Sequence, residues 1–264
     1  MNERCTDSLN PSNRLLGRGD PSPIIVTNPG GFSPVVLIGD HAGRLIPRSL
    51  GDLGLPPSAM DGHIAWDIGV AGLGERLTEA LDAIFIRQAY SRLVIDCNRR
   101  PGAADSTPAE SDGQPIPGNM SLGDADLDAR RDEIWTPYQS RISAELDERA
   151  RRGRPIVLVS LHSFTPVFQG CRRPWRYGVL HRGDSALSGR LLVLLRDLMG
   201  TEAGDNQPYA MDANDTTVPL HADPRGLDYL ELEVRQDLIA SPAGQSAEAG
   251  LIARLLLRAL DDGR

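Results

Sequence analysis

The chain has 264 residues, 40% hydrophobic and 24% charged, which fits one large α/β domain whose core needs no disulfides or structural metal. A formal net charge of −8, with no lysine among its 28 basic residues, argues against a nucleic-acid surface and excludes Schiff-base and P-loop lysine chemistry. Three scattered cysteines, and the lack of a signal-peptide core or a bilayer-spanning apolar run, predict a cytoplasmic protein with no membrane partner.

The first half of the chain begins with a polar segment, residues 1–22, which is predicted to be a flexible arm. The main domain is predicted to span residues 23–264. Its first elements are predicted as strands at 35–39, 84–86 and 93–95, a helix at 68–81, a long loop at 101–123, and a charged helix at 124–152. Pro137 predicts a break within that last helix.

The second half continues the alternation of strands and helices. The predicted elements are strands at 156–162, 177–180 and 229–234, helices at 185–198 and 246–260, and loops at 165–174 and 204–226. Ser246 is the predicted N-cap of the last helix. Alternating strands and helices predict a single α/β domain with a mostly parallel or mixed sheet and helices on its two faces.

Two histidines follow buried strand patterns. His41 comes after the apolar run 35–39, and His162 stands at the end of the predicted strand 156–162. Ligands bind at the carboxyl ends of strands in open parallel sheets, and imidazole is a common zinc ligand. Taken alone, His41 is better explained as a histidine capping a loop. His162 is better explained as a metal ligand than as a hydrogen-bonded core histidine, because a buried polar ring needs a partner. The pattern indicates a metal-dependent hydrolase.

Asn98 and Arg99 follow the predicted strand at 93–95. An amide and a planar guanidinium at a strand end suit the bidentate capture of a substrate carboxylate. The alternative is a salt bridge from Arg99 to Asp96 or Asp105 that only closes a loop.

Glu231 and Glu233 are two residues apart, so they share one face of the predicted strand at 229–234. Burial of a glutamate beside a metal-bound water brings its pKa into the range of a general base. The alternative for Glu231 is an ion pair with an arginine. His63 and His181 are predicted to be surface or packing residues, and His221 is predicted to be either a lid residue or an exposed loop histidine.

Five short motifs, taken in order, resemble the N-formylglutamate amidohydrolase family of the zinc-carboxypeptidase-like superfamily. They are Asp-His-Ala-Gly at 40–43, Trp-Asp-Ile-Gly at 66–69, Asp-Cys-Asn-Arg at 96–99, His-Ser-Phe-Thr-Pro at 162–166, and Glu-Val-Arg at 233–235. The resemblance runs from about residue 24 to residue 260. It implies a zinc-carboxypeptidase-like fold and cleavage of N-formyl-L-glutamate to formate and L-glutamate.

The resemblance also implies roles for individual residues. It makes Glu233 the general base, Arg92 a group that polarises the scissile carbonyl, and Asn98 and Arg99 the anchor for the substrate carboxylate. It makes His41 and His162 zinc ligands. The carboxypeptidases take another ligand from a glutamate three residues after the first histidine, where this chain has Arg44.

Asp67, in the Trp-Asp-Ile-Gly motif, is the predicted replacement for the missing carboxylate ligand. The alternative role for Asp67 is an ordinary helix N-cap. Two histidines and a carboxylate also suit iron, nickel or cobalt. The other functions that remain open are a deacylase of another N-acyl amino acid, a carboxypeptidase-like enzyme, and a metal-free module that binds carboxylates.

Overall fold

The computed structural model of this protein describes residues 14–262. Its strands are β1 (Ile24–Thr27), β2 (Val35–Gly39), β3 (Ile84–Gln88), β4 (Glu110–Ser111), β5 (Gln114–Pro115), β6 (Val157–Phe164), β7 (Val167–Phe168), β8 (Cys171–Arg172), β9 (Tyr177–Leu180), β10 (Ala203–Asp205) and β11 (Asp228–Arg235). Its α-helices are α1 (Pro57–Met60), α2 (Val70–Leu81), α3 (Asp124–Arg130), α4 (Thr136–Arg151), α5 (Ala186–Met199), α6 (Thr217–Ala222), α7 (Gln236–Ile239) and α8 (Pro242–Asp261).

Seven strands form one mixed sheet in the order β1-β3-β2-β6-β11-β9-β10. The four central strands, from β3 to β11, run parallel to one another. The edge strand β1 is antiparallel to β3, and β9 is antiparallel to β11. The prediction of an α/β fold with a mostly parallel or mixed sheet is confirmed.

Helices cover both faces of this sheet, and the side chains of β2 show why. Val35 and Leu37 contribute to a core shared with α2, α5 and α8, whereas Val36 and Ile38 contribute to a second core shared with α4 and α6. Successive side chains of a strand point to opposite faces, so a strand buried on both faces needs an unbroken apolar run. All four side chains are fully buried.

The prediction of a strand at 93–95 is wrong, because this segment is a buried loop. The side chains of Leu93 and Val94 are buried in the core, as a strand would require. However, their carbonyls accept hydrogen bonds from side chains: Asn119 Nδ2 donates to Leu93 at 2.8 Å, and Arg130 Nη1 donates to Val94 at 2.9 Å. Buried carbonyls need a partner, and here side chains replace a neighbouring strand.

Two element boundaries also differ from the predictions. Strand β6 continues to Phe164, so His162 lies inside the strand and not at its end. Helix α8 begins at Pro242 with Ser241 as its N-cap, and Ser246 lies within the helix. Proline at the first helical position needs no amide hydrogen bond, which favours this start.

The two long segments predicted as loops contain regular structure. The segment 204–226 includes part of β10 and all of α6, and the segment 101–123 includes the hairpin β4–β5. The predicted break near Pro137 corresponds to a π-helical turn, Arg131–Trp135, between α3 and α4.

Residues 1–13 of the predicted N-terminal arm lie outside the described residues. Within residues 14–22, Leu15 is buried, and the backbone amides of Leu15 and Leu16 donate to the carboxylate of Glu133 at 2.8 and 2.9 Å. Among residues 14–262, no helix is long and apolar enough to cross a bilayer.

Candidate metal centre and active site

Three buried side chains from separate parts of the chain converge at one end of the parallel strands. His41 follows the end of β2, Asp67 precedes helix α2, and His162 lies on β6. One ligand atom from each of the three residues can be chosen so that all lie within 4.8 Å of one another. The structure therefore brings together the three residues predicted to bind a metal.

The distances within this trio suit a small cation. His162 Nδ1 lies 3.1 Å from Asp67 Oδ2, and His41 Nδ1 lies 3.6 Å from the same oxygen. Ligands placed about 2.1 Å from a tetrahedral zinc ion are separated by about 3.4 Å. The two measured separations lie on either side of that value.

A hydrogen bond from His41 leaves one of its ring nitrogens free to bind a metal. His41 Nε2 donates to Asp96 Oδ1 at 2.7 Å, which places the proton on Nε2 and the lone pair on Nδ1. Within the described chain, the buried Nδ1 atom has no hydrogen-bond partner. His162 differs, because its Nδ1 hydrogen-bonds to Asp67 Oδ2 at 3.1 Å while its Nε2 lies 3.0 Å from the Ser160 hydroxyl. Loss of the Nδ1 proton would free this atom to bind a metal. The donor set fits a divalent metal.

Asp67 does not cap helix α2, whose N-cap residue is Gly69. Its Oδ2 atom accepts a hydrogen bond from the backbone amide of Ser163 at 3.1 Å and faces both histidines. Burial by itself would raise the pKa of Asp67, but His41 and the hydrogen bond from His162 hold it well below its usual range. The carboxylate is thus ionised, as a metal ligand must be.

Arg92 lies beside this trio, in the buried loop found where a strand was predicted at 93–95. Its guanidinium donates to Asp96 Oδ2 from Nη2 at 2.6 Å and from Nε at 3.1 Å, and its Nη1 lies 3.6 Å from Asp67 Oδ1. The Arg92 side chain remains 29% exposed, and it lines the cavity described below. Asp96 thus joins Arg92 to His41, a role that the sequence analysis missed.

Two buried glutamates on β11 lie next to the trio. Glu233 pairs in register with His162 of the adjacent parallel strand β6. Burial raises the pKa of Glu233, although the positive charge of His162 opposes this shift. Burial likewise raises the pKa of Glu231 to about 8, again against the effect of His162. A raised pKa suits a group that takes up and releases a proton near neutral pH.

Asn98 is largely occupied by contacts within the protein. Its Oδ1 accepts from the backbone amides of Thr216 and Thr217 at 3.0 and 2.9 Å, which fixes the start of helix α6. Its Nδ2 donates to Asp215 Oδ1 at 3.1 Å. Asp215 lies in the segment predicted as a polar loop, where no local pattern singled it out.

Arg99 forms the salt bridge that was the alternative to a substrate role. Its Nε lies 2.9 Å from Asp105 Oδ2, and its Nη1 lies 3.1 Å from Asp215 Oδ1. The predicted pairing with Asp96 is not a direct one, because the Asp96 carboxylate contacts Arg92 and His41.

A cavity of about 540 Å³ opens above the trio. It is lined by all seven residues singled out from the sequence: His41, Asp67, Arg92, Asn98, Arg99, His162 and Glu233. His63, predicted to be a surface or packing residue, also lines it. His221 is neither exposed nor part of this lining, since it is buried against Gln139.

The fold and this site together define an α/β protein with a buried His-Asp-His candidate metal site and a glutamate beside it. The family model described as N-formylglutamate amidohydrolase matches residues 33–240. The chain belongs to the N-formylglutamate amidohydrolase family, as the sequence motifs predicted.

Two solved structures are similar to this chain. The gene product Atu2144 of Agrobacterium tumefaciens is 35% identical with a TM-score of 0.91, over 94% of this chain and 99% of that one. The N-formylglutamate amidohydrolase of Ralstonia eutropha JMP134 is 19% identical with a TM-score of 0.64, over 90% of this chain and 96% of that one, and so shows a shared fold. No curated protein matches the chain by sequence.

Proposed function

We propose that this chain is a metal-dependent amidohydrolase that cleaves the amide bond of an N-acylated amino acid, with N-formyl-L-glutamate as its substrate. One observation carries the proposal: His41, Asp67 and His162 converge in a buried site, and Glu233 lies beside them. The name of the family supports the choice of N-formyl-L-glutamate.

His41 Nδ1, His162 Nδ1 and the Asp67 carboxylate are the groups that would hold the metal. A zinc ion with three protein ligands and an open position acts as a Lewis acid, which polarises an amide carbonyl and acidifies water. Iron, nickel or cobalt would suit the same ligands. Asp96 keeps the His41 ring in the required tautomer through the hydrogen bond to Nε2.

Glu233 is the proposed general base. It accepts a proton from the attacking water as the new carbon–oxygen bond forms, and it returns that proton to the amine nitrogen as the carbon–nitrogen bond breaks. Among residues 14–262, its buried Oε2 atom has no hydrogen-bond partner, so it is available to a water molecule. Arg92 is proposed to donate to the carbonyl oxygen as negative charge develops there.

Arg99 and Asn98 are proposed to anchor a carboxylate of the substrate. Both residues line the cavity, and Arg99 has planar donors that match a carboxylate. Because Arg99 already pairs with Asp105 and Asp215, the substrate carboxylate would share this guanidinium with them.

The test combines metal analysis with a product assay. Protein purified without chelators is analysed for zinc and other divalent metals, and then incubated with N-formyl-L-glutamate, N-acetyl-L-glutamate and a glutamate-terminated dipeptide. We expect a stoichiometric metal and release of formate from the first compound. Faster cleavage of the acetyl or peptide substrate would instead indicate a deacylase or a carboxypeptidase-like enzyme. Protein without metal, and with no activity after zinc is added, would indicate a carboxylate-binding module.

A further inference from the structure

The two arginines assigned to the reaction are both neutralised by aspartates. Arg92 faces Asp96 and Asp67, and Arg99 faces Asp105 and Asp215. N-formyl-L-glutamate carries two carboxylates, each of which needs a positively charged partner. A guanidinium that already has two anionic neighbours attracts a third anion weakly. Binding of both substrate carboxylates therefore calls for a further cation near the cavity.

Arg173, which follows the hairpin β7–β8, supplies such a cation. Its guanidinium carbon lies 4.7 Å from the ring centroid of Phe168 and 4.8 Å from that of Tyr209. The ring of Phe164 lies 5.9 Å away. All three aromatic residues line the cavity, and Arg173 packs against them without itself being a lining residue.

The contacts of Arg173 hold the guanidinium in place without neutralising it. Its Nη1 donates to the Tyr209 hydroxyl at 3.0 Å, and the aromatic rings contribute cation–π attraction. Among residues 14–262, no carboxylate forms an ion pair with Arg173, and its Nε and Nη2 donors have no acceptor. These two donors form one edge of the planar group, the edge that can bind a carboxylate in bidentate fashion.

The negative charges of the cavity wall also favour binding of an anion near Arg173. Among residues 14–262, no arginine forms an ion pair with three of the carboxylates that line it, Glu110, Asp112 and Asp212. A substrate carboxylate is repelled by these groups and attracted by Arg173.

We propose that Arg173, held by Tyr209 and Phe168, binds a carboxylate of the N-acyl amino acid and thereby selects acidic substrates. This inference rests on the proposed function for the class of ligand. The role of Arg173 is recognition, and the metal site and Glu233 are left to carry out the hydrolysis.

Calorimetric titration tests this proposal separately from turnover. The metal-loaded Glu233→Gln protein is titrated with N-formyl-L-glutamate, with N-formyl-L-glutamine, which lacks the side-chain carboxylate, and with N-formyl-L-isoglutamine, which lacks the α-carboxylate. The same titrations are repeated with double variants that combine Glu233→Gln with Arg173→Gln, Arg173→Lys or Arg172→Gln. Arg172 is the matched control, because it is the exposed neighbour on the same hairpin.

We expect Arg173→Gln to weaken binding of N-formyl-L-glutamate by about 10- to 100-fold, the usual loss for a charge-assisted pair. One of the two amides should lose less than about threefold, and it identifies the carboxylate that Arg173 binds. Arg173→Lys should restore part of the affinity, and Arg172→Gln should leave all three affinities unchanged.

If Arg173→Gln weakened the binding of all three ligands equally, Arg173 would only hold the hairpin β7–β8 against Tyr209, and the proposal would be wrong. No weakening, or no binding of N-formyl-L-glutamate to the parent protein, would also overturn it. Absence of formate release by the wild-type protein would instead refute the proposed function and leave the binding comparison intact.

Discussion

Glu233 on β11 and His162 on β6 occupy matching positions in two adjacent parallel strands. Paired residues of neighbouring strands project from the same face of a sheet, so the two side chains are held side by side by the backbone ladder. The proposed base and a proposed metal ligand are therefore positioned by the most buried part of the sheet. Glu231 and Ser160 form the next pair on this face, and the Ser160 hydroxyl contacts His162 Nε2.

Glu233→Gln should abolish most of the activity and retain the metal. An amide of nearly the same shape cannot take up a proton, so we expect kcat for amide hydrolysis to fall by about 10²- to 10⁴-fold. The measurement is steady-state formate release together with metal content. Glu231→Gln, on the same face of the same strand, is the matched control and should cost less than about tenfold. A Glu233→Gln protein with near wild-type kcat would show that the base has been wrongly assigned.

His162→Ala should lose the metal. Removing one of three protein ligands leaves two, which is too few for tight binding at a catalytic zinc site. Metal content after dialysis, measured by elemental analysis, should fall from stoichiometric to near background. His181, which pairs with Asp205 outside the cavity, provides the control, and His181→Ala should retain the metal. Stoichiometric metal in His162→Ala would contradict the proposed ligand set.

Asp96→Asn should weaken metal binding without removing a ligand. The carboxylate accepts a hydrogen bond from His41 Nε2 and so fixes the ring, and loss of such a partner typically lowers metal affinity by about 10- to 100-fold. Competition with a chromophoric chelator gives the zinc dissociation constant for both proteins. An unchanged constant would mean that the orientation of His41 does not depend on Asp96.

His221 should make stability depend on pH in mildly acidic solution. It is buried, its Nε2 donates to Gln139 Oε1 at 2.7 Å, and burial together with the charge of Arg225 lowers its pKa to about 4. The unfolded chain protonates this histidine near pH 6.5, whereas the folded protein resists protonation until about pH 4. Through His221, the free energy of unfolding is therefore highest above pH 6.5 and decreases as the pH falls from 6.5 to 4.

The size of this effect follows from the pKa difference and reaches about 3 kcal/mol in the free energy of unfolding. Urea unfolding at several pH values should show that wild type loses this much more stability between pH 6.5 and 4 than His221→Asn does. Parallel pH profiles for the two proteins would exclude the histidine as the cause.

Asn119→Ala should destabilise the protein although Asn119 is remote from the proposed ligands. The substitution leaves the buried carbonyls of Leu93 and Pro108 without their donor, at a cost of about 1–3 kcal/mol in the free energy of unfolding. Chemical denaturation measures this loss. The exposed amide Gln114, which bonds only to the neighbouring Pro115 carbonyl, is a control whose change to alanine should cost less than about 0.5 kcal/mol.

The sequence predicted strand β2 well because it is buried on both faces and therefore has an unbroken apolar run. The same reasoning failed at 93–95, where the run is equally apolar but the carbonyl partners come from Asn119 and Arg130. The sequence around those three residues gives no indication of these donors, which lie more than twenty residues further along the chain.

The residues of the candidate site could also be predicted only in part. His162 could be singled out because a histidine in a buried apolar run is costly without a partner. Asp67 could not be separated from a helix cap until the structure placed its carboxylate against two histidines. Arg173 went unnoticed, because its significance depends on aromatic side chains from different segments that pack around it.

The buried loop at 91–99 affects how the ligand preference of this protein could change. It carries Arg92, Asp96, Asn98 and Arg99, yet it makes no strand pairing, whereas His162 and Glu233 belong to the sheet itself. Remodelling the part of the loop that carries Asn98 and Arg99 would alter ligand choice, while His162 and Glu233 of the proposed hydrolytic centre kept their places in the sheet. Conversely, a change at Asn119 or Arg130, which donate to the carbonyls of Leu93 and Val94, would disturb the backbone that carries these four residues.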